Sequence, residues 1–182
     1  KIMSMIDQAE AAGYRALVYD GSASIYDPNI DTSDYPTKIN AKNSRASVKW
    51  YSPGNDMFGP CLQAATVNAS RSKEPLGPLA YDLAIEFSGG LISDRMEVSS
   101  DANAVWDYYM NNRSDVQIDQ LDIDHRHGKP QLTPDDPQDD CSHAQAVELY
   151  ANDWHKSSLS KKISKKGTPV MDELRKRGML DE

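Results

Sequence analysis

One short run of the chain concentrates the side chains that most often bind metal ions. Asp122, Asp124, His125 and His127 fall within positions 122–127. Neighbouring Asp and His side chains can hold a divalent cation that activates water for hydrolysis. The same residue types are also typical of a solvent-facing polar turn. We therefore predict an inert loop here, with no dedicated metal site.

The polar segment before Gly77 is a second place where the residue types could do chemistry. Gly77-Pro78 begins a predicted helix, because proline is tolerated in the first turn. A helix N-terminus carries free N–H groups and about half a positive charge, so it suits a phosphate. Arg71 and Lys73 lie just upstream, where their cations could neutralise such a group. Gly77 permits close approach of the backbone.

Strands and helices alternate in the region that would position these residues. Alternation of this kind implies parallel strand pairs joined by helical crossovers, and hence an α/β fold with a mixed sheet flanked by helices. The predicted elements are a buried strand at 61–67, a helix from 77 to about 88, a strand at 91–93, a helix from about 100 to 112 and a strand at 116–123.

The two ends of the chain have different patterns. Apolar residues at positions 2, 5, 6 and 9 predict an amphipathic helix, and residues 15–26 predict a hairpin that turns at Asp20-Gly21. After Asp124 the sequence becomes rich in proline and aspartate, and two short helices are predicted at 144–154 and 169–177. We expect a domain at 1–124, followed by an irregular C-terminal extension at 125–182.

The segment from Gly77 to Val116 resembles the second half of a GNAT-type N-acyltransferase. In that family a strand ends in a loop whose amides hold the CoA pyrophosphate, and a helix begins at the phosphates. A further strand then leads into a second helix, which often carries a tyrosine. The resemblance is strongest to GNAT-like proteins encoded by tailed bacteriophages. It rests on GPLAYDLA (77–84), SDRMEVSSDANAVWDYYMNNRSDV (93–116), LTPDDPQDDC (132–141) and SSLSK (157–161).

The resemblance implies acyl-CoA-dependent transfer to an amine, by direct attack on the thioester. Acetyl-CoA or another acyl-CoA would be the cofactor, and a small molecule or a protein would supply the amine. The residues it places around the pyrophosphate are Arg71, Ser72, Lys73, Gly77 and Leu79.

The same resemblance implies which residues would serve the chemistry. Ala65 and Val67 lie on the strand that would flank the thioester. Tyr108 is the candidate acid for the leaving thiolate, with Tyr109 beside it, and Glu86 is a candidate base. The alternative is that both tyrosines are ordinary core or surface residues and that Glu86 is a solvated residue.

The sequence departs from the family pattern Arg/Gln-x-x-Gly-x-Gly/Ala. Aligning Gly77 with the last glycine puts Ser72 at the first position and Pro75 at the earlier glycine, where proline has no N–H to donate. Trp106 occupies the usual tyrosine position. Either the loop binds CoA in an altered way, or the fold persists without the cofactor. The second alternative is an inactive GNAT-fold protein that binds a partner in the virion or in the host.

A weaker resemblance links the run at 122–127 to the DHxHxTG core of His-Me finger nucleases. Asp124 and His125 would then hold the metal ion, with Asn152 as a candidate distal ligand. Such nucleases often rest on paired-cysteine zinc knuckles, which Cys61 and Cys141 are too far apart in sequence to form.

The amino-acid composition narrows the classes of protein to which the chain could belong. The net charge of -8 argues against general binding to nucleic acid, and no apolar stretch approaches the ~20 residues of a membrane span. With only two cysteines, we expect free thiols in a reducing compartment, which predicts the cytoplasm (or a virion for a phage protein).

The basic segment from Lys156 to Arg177 is a candidate surface for a protein partner, with a solvated tail as the alternative.

Overall fold

The computed structural model describes residues 1–53, 57–123, 131–145 and 153–182. Its described part is an α/β protein with four α-helices and one mixed sheet of eight strands, hydrogen-bonded in the order β6-β7-β5-β4-β3-β2-β1-β8. In chain order the elements are α1 (Ile2–Ala11), β1 (Arg15–Tyr19), β2 (Ser22–Tyr26), β3 (Ser44–Tyr51), β4 (Ala65–Ser72), α2 (Gly77–Ser88), β5 (Leu91–Ile92), α3 (Ser100–Asn112), β6 (Val116–Gln120), β7 (Lys161–Lys165), α4 (Pro169–Lys176) and β8 (Leu180–Asp181).

The contacts divide the chain into two compact units. The first unit comprises Lys1–Trp50, Ala69–Ser88 and Gly167–Glu182, and the second comprises Tyr51–Asn68 and Gly89–Lys166. The expected boundary at residue 124 does not coincide with this division. The segment expected to be an extension instead supplies β7, α4 and β8.

The first unit has one apolar face and one polar face on its strands. Strands β1, β2 and β3 form an antiparallel meander in which Ser24 lies opposite Leu17 on one side and Ser47 on the other. Successive side chains of a strand point to opposite faces. Ala23 and Ile25 therefore share the other face, and both are buried. Helices α1, α2 and α4 supply further core residues, including Ile6, Leu79, Leu83 and Leu174.

The second unit is built around a parallel pair and a strand that returns from the C-terminal region. Strands β4 and β5 are parallel at Ala65–Leu91 and Thr66–Ile92. Strand β7 lies between β5 and β6 and is antiparallel to both. Its central residue, Ile163, is fully buried and lies opposite Leu91 and Ile118. The sequence pattern does not predict β7, because KKISK has a single apolar residue among three lysines and a serine.

The local predictions are otherwise close to the structure. The helices α1, α2, α3 and α4 and the β1–β2 hairpin lie where the apolar spacing predicts them. The strand predicted at 61–67 is displaced, because residues 61–63 form a turn with left-handed backbone angles (φ of 50°, 53° and 56°) and the strand runs from Ala65 to Ser72. Most of the helix predicted at 144–154 lies outside the described residues.

The expectation of free thiols is wrong. Cys61 and Cys141 are joined by a disulfide bond within the second unit, across a sequence separation of 80 residues. The backbone brings the two cysteines together, since the N–H of Cys61 donates to the carbonyl of Asp140 at 2.9 Å. Sequence spacing could not reveal this pairing, because the tertiary structure brings these distant segments together.

None of the helices in the described ranges combines the length and the apolar character that a bilayer crossing requires.

Candidate functional site

The loop between β4 and α2 was expected to offer backbone N–H groups to a pyrophosphate. Pro75 and Pro78 have no N–H. The N–H of Lys73 donates to the carbonyl of Arg45 at 2.8 Å, and that of Leu76 donates to the carbonyl of Glu74 at 2.6 Å. The amides of Leu79 and Ala80 both donate to the carbonyl of Leu76. Only the amides of Glu74 and Gly77 have no hydrogen-bond partner within the described residues.

A carboxylate also lies in this loop. Glu74 accepts a hydrogen bond from the hydroxyl of Tyr14 at 2.7 Å, and this bond raises the pKa of the tyrosine. The ammonium group of Lys73 donates to the carbonyl of Ala41, so it is held beside β3. The negative charge of Glu74 repels a further anion at this helix N-terminus, and the Lys73 ammonium is already hydrogen-bonded elsewhere. Both features oppose anion binding.

Arg71 and Ser72 lie on opposite faces of β4, although both were expected to contact the pyrophosphate. The hydroxyl of Ser72 donates to the carbonyl of Glu74, and a Cβ placed on Gly77 would lie 3.7 Å from the Cβ of Ser72. Ser72 therefore faces the start of α2. Arg71 lines a cleft on the other face of the strand. The two side chains cannot hold one small group together.

The remaining residues predicted around the cofactor are core residues. Leu79, Ala65 and Val67 are buried, with exposures of 0%, 1% and 5%. Leu79 belongs to the first unit and the other two belong to the second. Their side chains contribute apolar packing.

The tyrosines of α3 differ in their surroundings. Tyr109 is 1% exposed, and the guanidinium carbon of Arg113 lies 4.9 Å from the centre of its ring. Tyr108 is half-buried on the same helix. Trp106, at the position usual for the family tyrosine, is 1% exposed. Of these three aromatic residues, Tyr108 is the one whose side chain is partly open to solvent.

Glu86 is buried and holds a helix in place. Its carboxylate accepts the backbone N–H of Val170 at 3.1 Å and that of Met171 at 2.9 Å, which are the first amides of α4. A carboxylate at this position satisfies N–H groups that have no partner inside the helix. The expectation of a solvent-exposed Glu86 is therefore wrong, and both carboxylate oxygens are already hydrogen-bonded.

The metal-like run is described only at its beginning. Asp124, His125, His127 and Asn152 lie outside the described residues. Asp122 is fully buried, and its carboxylate accepts hydrogen bonds from four donors. These donors are the amides of Ile123 (2.7 Å), Leu132 (3.0 Å) and Thr133 (2.8 Å) and the Thr133 hydroxyl (3.0 Å). This arrangement anchors the segment after residue 131.

Asp122 has two further carboxylates nearby. One oxygen from each of Asp122, Asp139 and Asp140 lies within 4.8 Å of the others. The Thr133 hydroxyl lies 2.6 Å from Asp139, and burial raises the pKa of that carboxyl. The hydrogen bonds from the surrounding amides stabilise the Asp122 carboxylate without an ion.

A buried arginine in the second unit was missed by the sequence analysis. Arg95 is 1% exposed, and its guanidinium donates to the carbonyls of Cys141 (3.3 Å), Ser142 (3.1 Å) and Leu159 (2.7 Å). His143 lies nearby, and its pKa is lowered to about 4 by burial and by the charge of Arg95. No local pattern distinguishes Arg95 from a surface arginine, because the three carbonyls come from distant parts of the sequence.

Most of the cationic side chains expected to form a basic C-terminal surface already make hydrogen bonds or ion pairs within the protein. The ammonium of Lys162 donates to the carbonyl of Leu62 at 3.0 Å, and that of Lys161 donates to Gln120 and to the carbonyl of His155. Further ion pairs among the described residues join Lys156 to Asp153, Arg175 to Asp172 and Glu182, and Arg177 to Asp7, Glu10 and Glu173. This segment is therefore part of the folded units and not a free tail.

Comparisons with protein-family models, with curated proteins and with solved structures gave no match to this chain.

Proposed function

We propose that this chain is a non-catalytic binding protein that retains a GNAT-like scaffold. The observation that carries the proposal is the state of the loop between β4 and α2. Pro75 in the loop and Pro78 in the first turn of α2 have no N–H, and the loop contains the Glu74 carboxylate. Of the other amides from Lys73 to Ala80, all except those of Glu74 and Gly77 are hydrogen-bonded within the described part of the protein. A phosphate group would find few donors there and a repulsive charge.

The order of elements supports the scaffold part of the proposal. A strand (β4) leads through a short loop into a helix (α2), which is followed by a strand parallel to the first (β5) and by a second helix (α3). This is the order expected from the resemblance of residues 77–116. It is compatible with many folds that contain a parallel pair.

Acyl-CoA-dependent transfer to an amine is the second candidate. The partly exposed Tyr108 on α3 favours it, because a proton donor on the second helix is what direct transfer to a CoA thiolate requires. This candidate would need the loop to rearrange and free its amides. Glu86 would not be its base, because both carboxylate oxygens bind the start of α4.

The disulfide bears on where such a protein would work. Disulfides persist in oxidising surroundings, which include the surfaces of virions, and are rare in the cytoplasm. The cytoplasmic location was inferred from free thiols, so the Cys61–Cys141 bond favours the virion alternative. We therefore propose a binding role in an assembled particle.

Thermal melting with and without acetyl-CoA tests the proposal. We expect no change in melting temperature at millimolar acetyl-CoA, and no acylation of a panel of amines. A ligand at about 100 times its dissociation constant adds about 2.7 kcal/mol to the free energy of unfolding, or roughly 5–10 °C for a chain of this size.

The variant Gly77→Glu makes this test specific to the loop. The new Cβ would meet only Ser72, at an ordinary contact distance, and a carboxylate at a helix N-terminus is compatible with the helix. A stabilising shift in the unmodified protein that disappears in Gly77→Glu would overturn the proposal and establish a cofactor loop. The absence of a shift with acetyl-CoA in both proteins, each compared with its own melt without the ligand, would support it.

A further inference from the structure

The polar face of the first unit contains a cleft of about 420 Å³, which we call the sheet cleft. Its volume falls within the range of ordinary small-molecule sites, which is about 300–1,000 Å³. It lies over strands β1 to β4 and beside the segment that connects β2 to β3. The residues that line it include Leu17, Tyr19, Ser22, Ser24, Lys49 and Arg71.

Two serine hydroxyls lie in this cleft without protein partners. Ser22 and Ser24 are 5% and 6% exposed, and within the described residues neither hydroxyl has a hydrogen bond. Neither oxygen is among the fully buried side-chain atoms that lack a partner, so both are open to the cleft, where they can bind water or a ligand. Both serines lie on β2 and point to the same face of the sheet.

Two cations lie beside these hydroxyls. Lys49 is directly opposite Ser22 in the β2–β3 register, and Arg71 lines the cleft from β4. Within the described residues neither cation has an ion pair. The residues that line the cleft include no Asp or Glu, although the chain as a whole has a net charge of -8. The cleft is thus a local concentration of positive charge.

A third cation lies at the edge of the cleft but is already engaged. The ammonium of Lys38 lies 5.5 Å from the centre of the Tyr26 ring. The Tyr26 hydroxyl in turn donates to Asp181 at 2.6 Å. The hydrogen bonds from Arg15 are the main cause of the low pKa of that carboxyl, and the charge of Lys38 makes a smaller contribution. Lys38 therefore borders the site, and Lys49 and Arg71 are the cations available to a ligand.

We infer that the sheet cleft binds a small molecule through a phosphate group. An arginine fork and a lysine match the charge of a phosphate dianion, and the two serine hydroxyls can donate to its remaining oxygens. Tyr19 and Leu17 provide apolar surface for the rest of the molecule. The inference rests on the proposed function only in identifying this cleft as the site of a binding protein, because the contacts that form it are independent of the cofactor loop.

Calorimetric titration of the full chain with inorganic pyrophosphate, phosphate and adenosine monophosphate tests the inference. We expect saturable binding of at least one of these probes. Substituting Lys49→Ala or Arg71→Ala is expected to weaken it about tenfold or more, since a hydrogen bond to a charged group contributes about 1.5–3 kcal/mol. Both side chains are exposed and unpaired, so the variants should fold, and Ser24→Ala provides a third variant that leaves the charge unchanged.

Lys176→Ala is the matched control, because it removes an exposed cation from α4 outside the cleft. Binding should be unchanged in this variant and also in Gly77→Glu, which alters only the cofactor loop. Tighter binding of the nucleotide than of phosphate would assign the cleft to a phosphate ester, and equal binding would assign it to the free anion. Absence of saturable binding by all three probes, or an equal loss in Lys176→Ala, would overturn the inference.

These variants also separate the two proposals. A response to acetyl-CoA that is lost in Lys49→Ala and kept in Gly77→Glu would place the CoA phosphates in the sheet cleft, which supports the inference and leaves the loop without a cofactor. A response to acetyl-CoA that is kept in Lys49→Ala and lost in Gly77→Glu would overturn the proposed function. The titration with pyrophosphate would then decide whether the cleft binds phosphate.

Discussion

The carboxylate of Glu86, near the end of α2, accepts the backbone N–H of Met171 at the start of α4, at a distance of 2.9 Å. The neighbouring amide of Val170 donates to the other carboxylate oxygen. A residue that could have served as a catalytic base is therefore the cap of a helix about eighty residues later in the chain.

Replacing Glu86 should destabilise the protein through α4. We expect Glu86→Ala to lower the free energy of unfolding by about 2 kcal/mol or more, because two amides lose charge-assisted bonds in a buried place. Glu86→Gln keeps one carbonyl acceptor and should have an intermediate effect. Chemical denaturation measures both, and Glu97→Ala on the exposed surface serves as the control. A stable Glu86→Gln protein that lost an amine-acylating activity would instead assign a catalytic base.

The Cys61–Cys141 bond should make stability depend on the redox state. Reduction, or the double substitution to serine, is expected to lower the free energy of unfolding by about 2–4 kcal/mol, because the open chain gains conformational freedom when unfolded. Thermal melting with and without dithiothreitol gives the size of the effect. The reductant should not change the melting of the double-serine variant. Two titratable thiols in the unreduced, unfolded protein would contradict the pairing.

Arg95 should be among the most sensitive positions of the second unit. We expect Arg95→Met to cost about 3 kcal/mol or more, since three buried carbonyls lose their donor. Arg95→Lys should recover only part of this, because an ammonium cannot reproduce the spacing of the guanidinium nitrogens. Arg175→Met, which removes the exposed ion pairs to Asp172 and Glu182, should cost less than about 1 kcal/mol in the same denaturation assay. Comparable losses in Arg95→Met and Arg175→Met would show that the Arg95 contacts contribute little.

His143 should make the protein less stable in mild acid. Its pKa is lowered to about 4, chiefly by burial, so the unfolded chain binds a proton more readily than the folded protein does. Stability is therefore complete above about pH 6.5 and falls by about 1.4 kcal/mol per pH unit as the pH drops toward 4. Asparagine at this position keeps an acceptor for the N–H of Gln145 and cannot be protonated. Denaturation at several pH values should show a smaller slope in His143→Asn, and equal slopes in both proteins would contradict the prediction.

The sequence determined those elements whose signals are local. The apolar spacing of α1, the Asp20-Gly21 turn and the Gly77-Pro78 start of α2 each operate within a few residues, and all three elements lie where they were predicted. The alternation of strand and helix also predicted a parallel pair, which β4 and β5 form. Local periodicity and turn chemistry are properties of a short segment, so a sequence pattern can reveal them.

Only the tertiary structure decided how distant segments meet. Strand β7 is recognisable because Ile163 is buried between β5 and β6, and the sequence around it consists of polar and charged residues. The Cys61–Cys141 bond and the carbonyls around Arg95 likewise join parts of the chain that are far apart in sequence. In the sheet cleft, the β2–β3 register brings Ser22 to Lys49, and a further strand adds Arg71. The charge, burial and hydrogen bonding of such groups depend on neighbours that no local pattern contains.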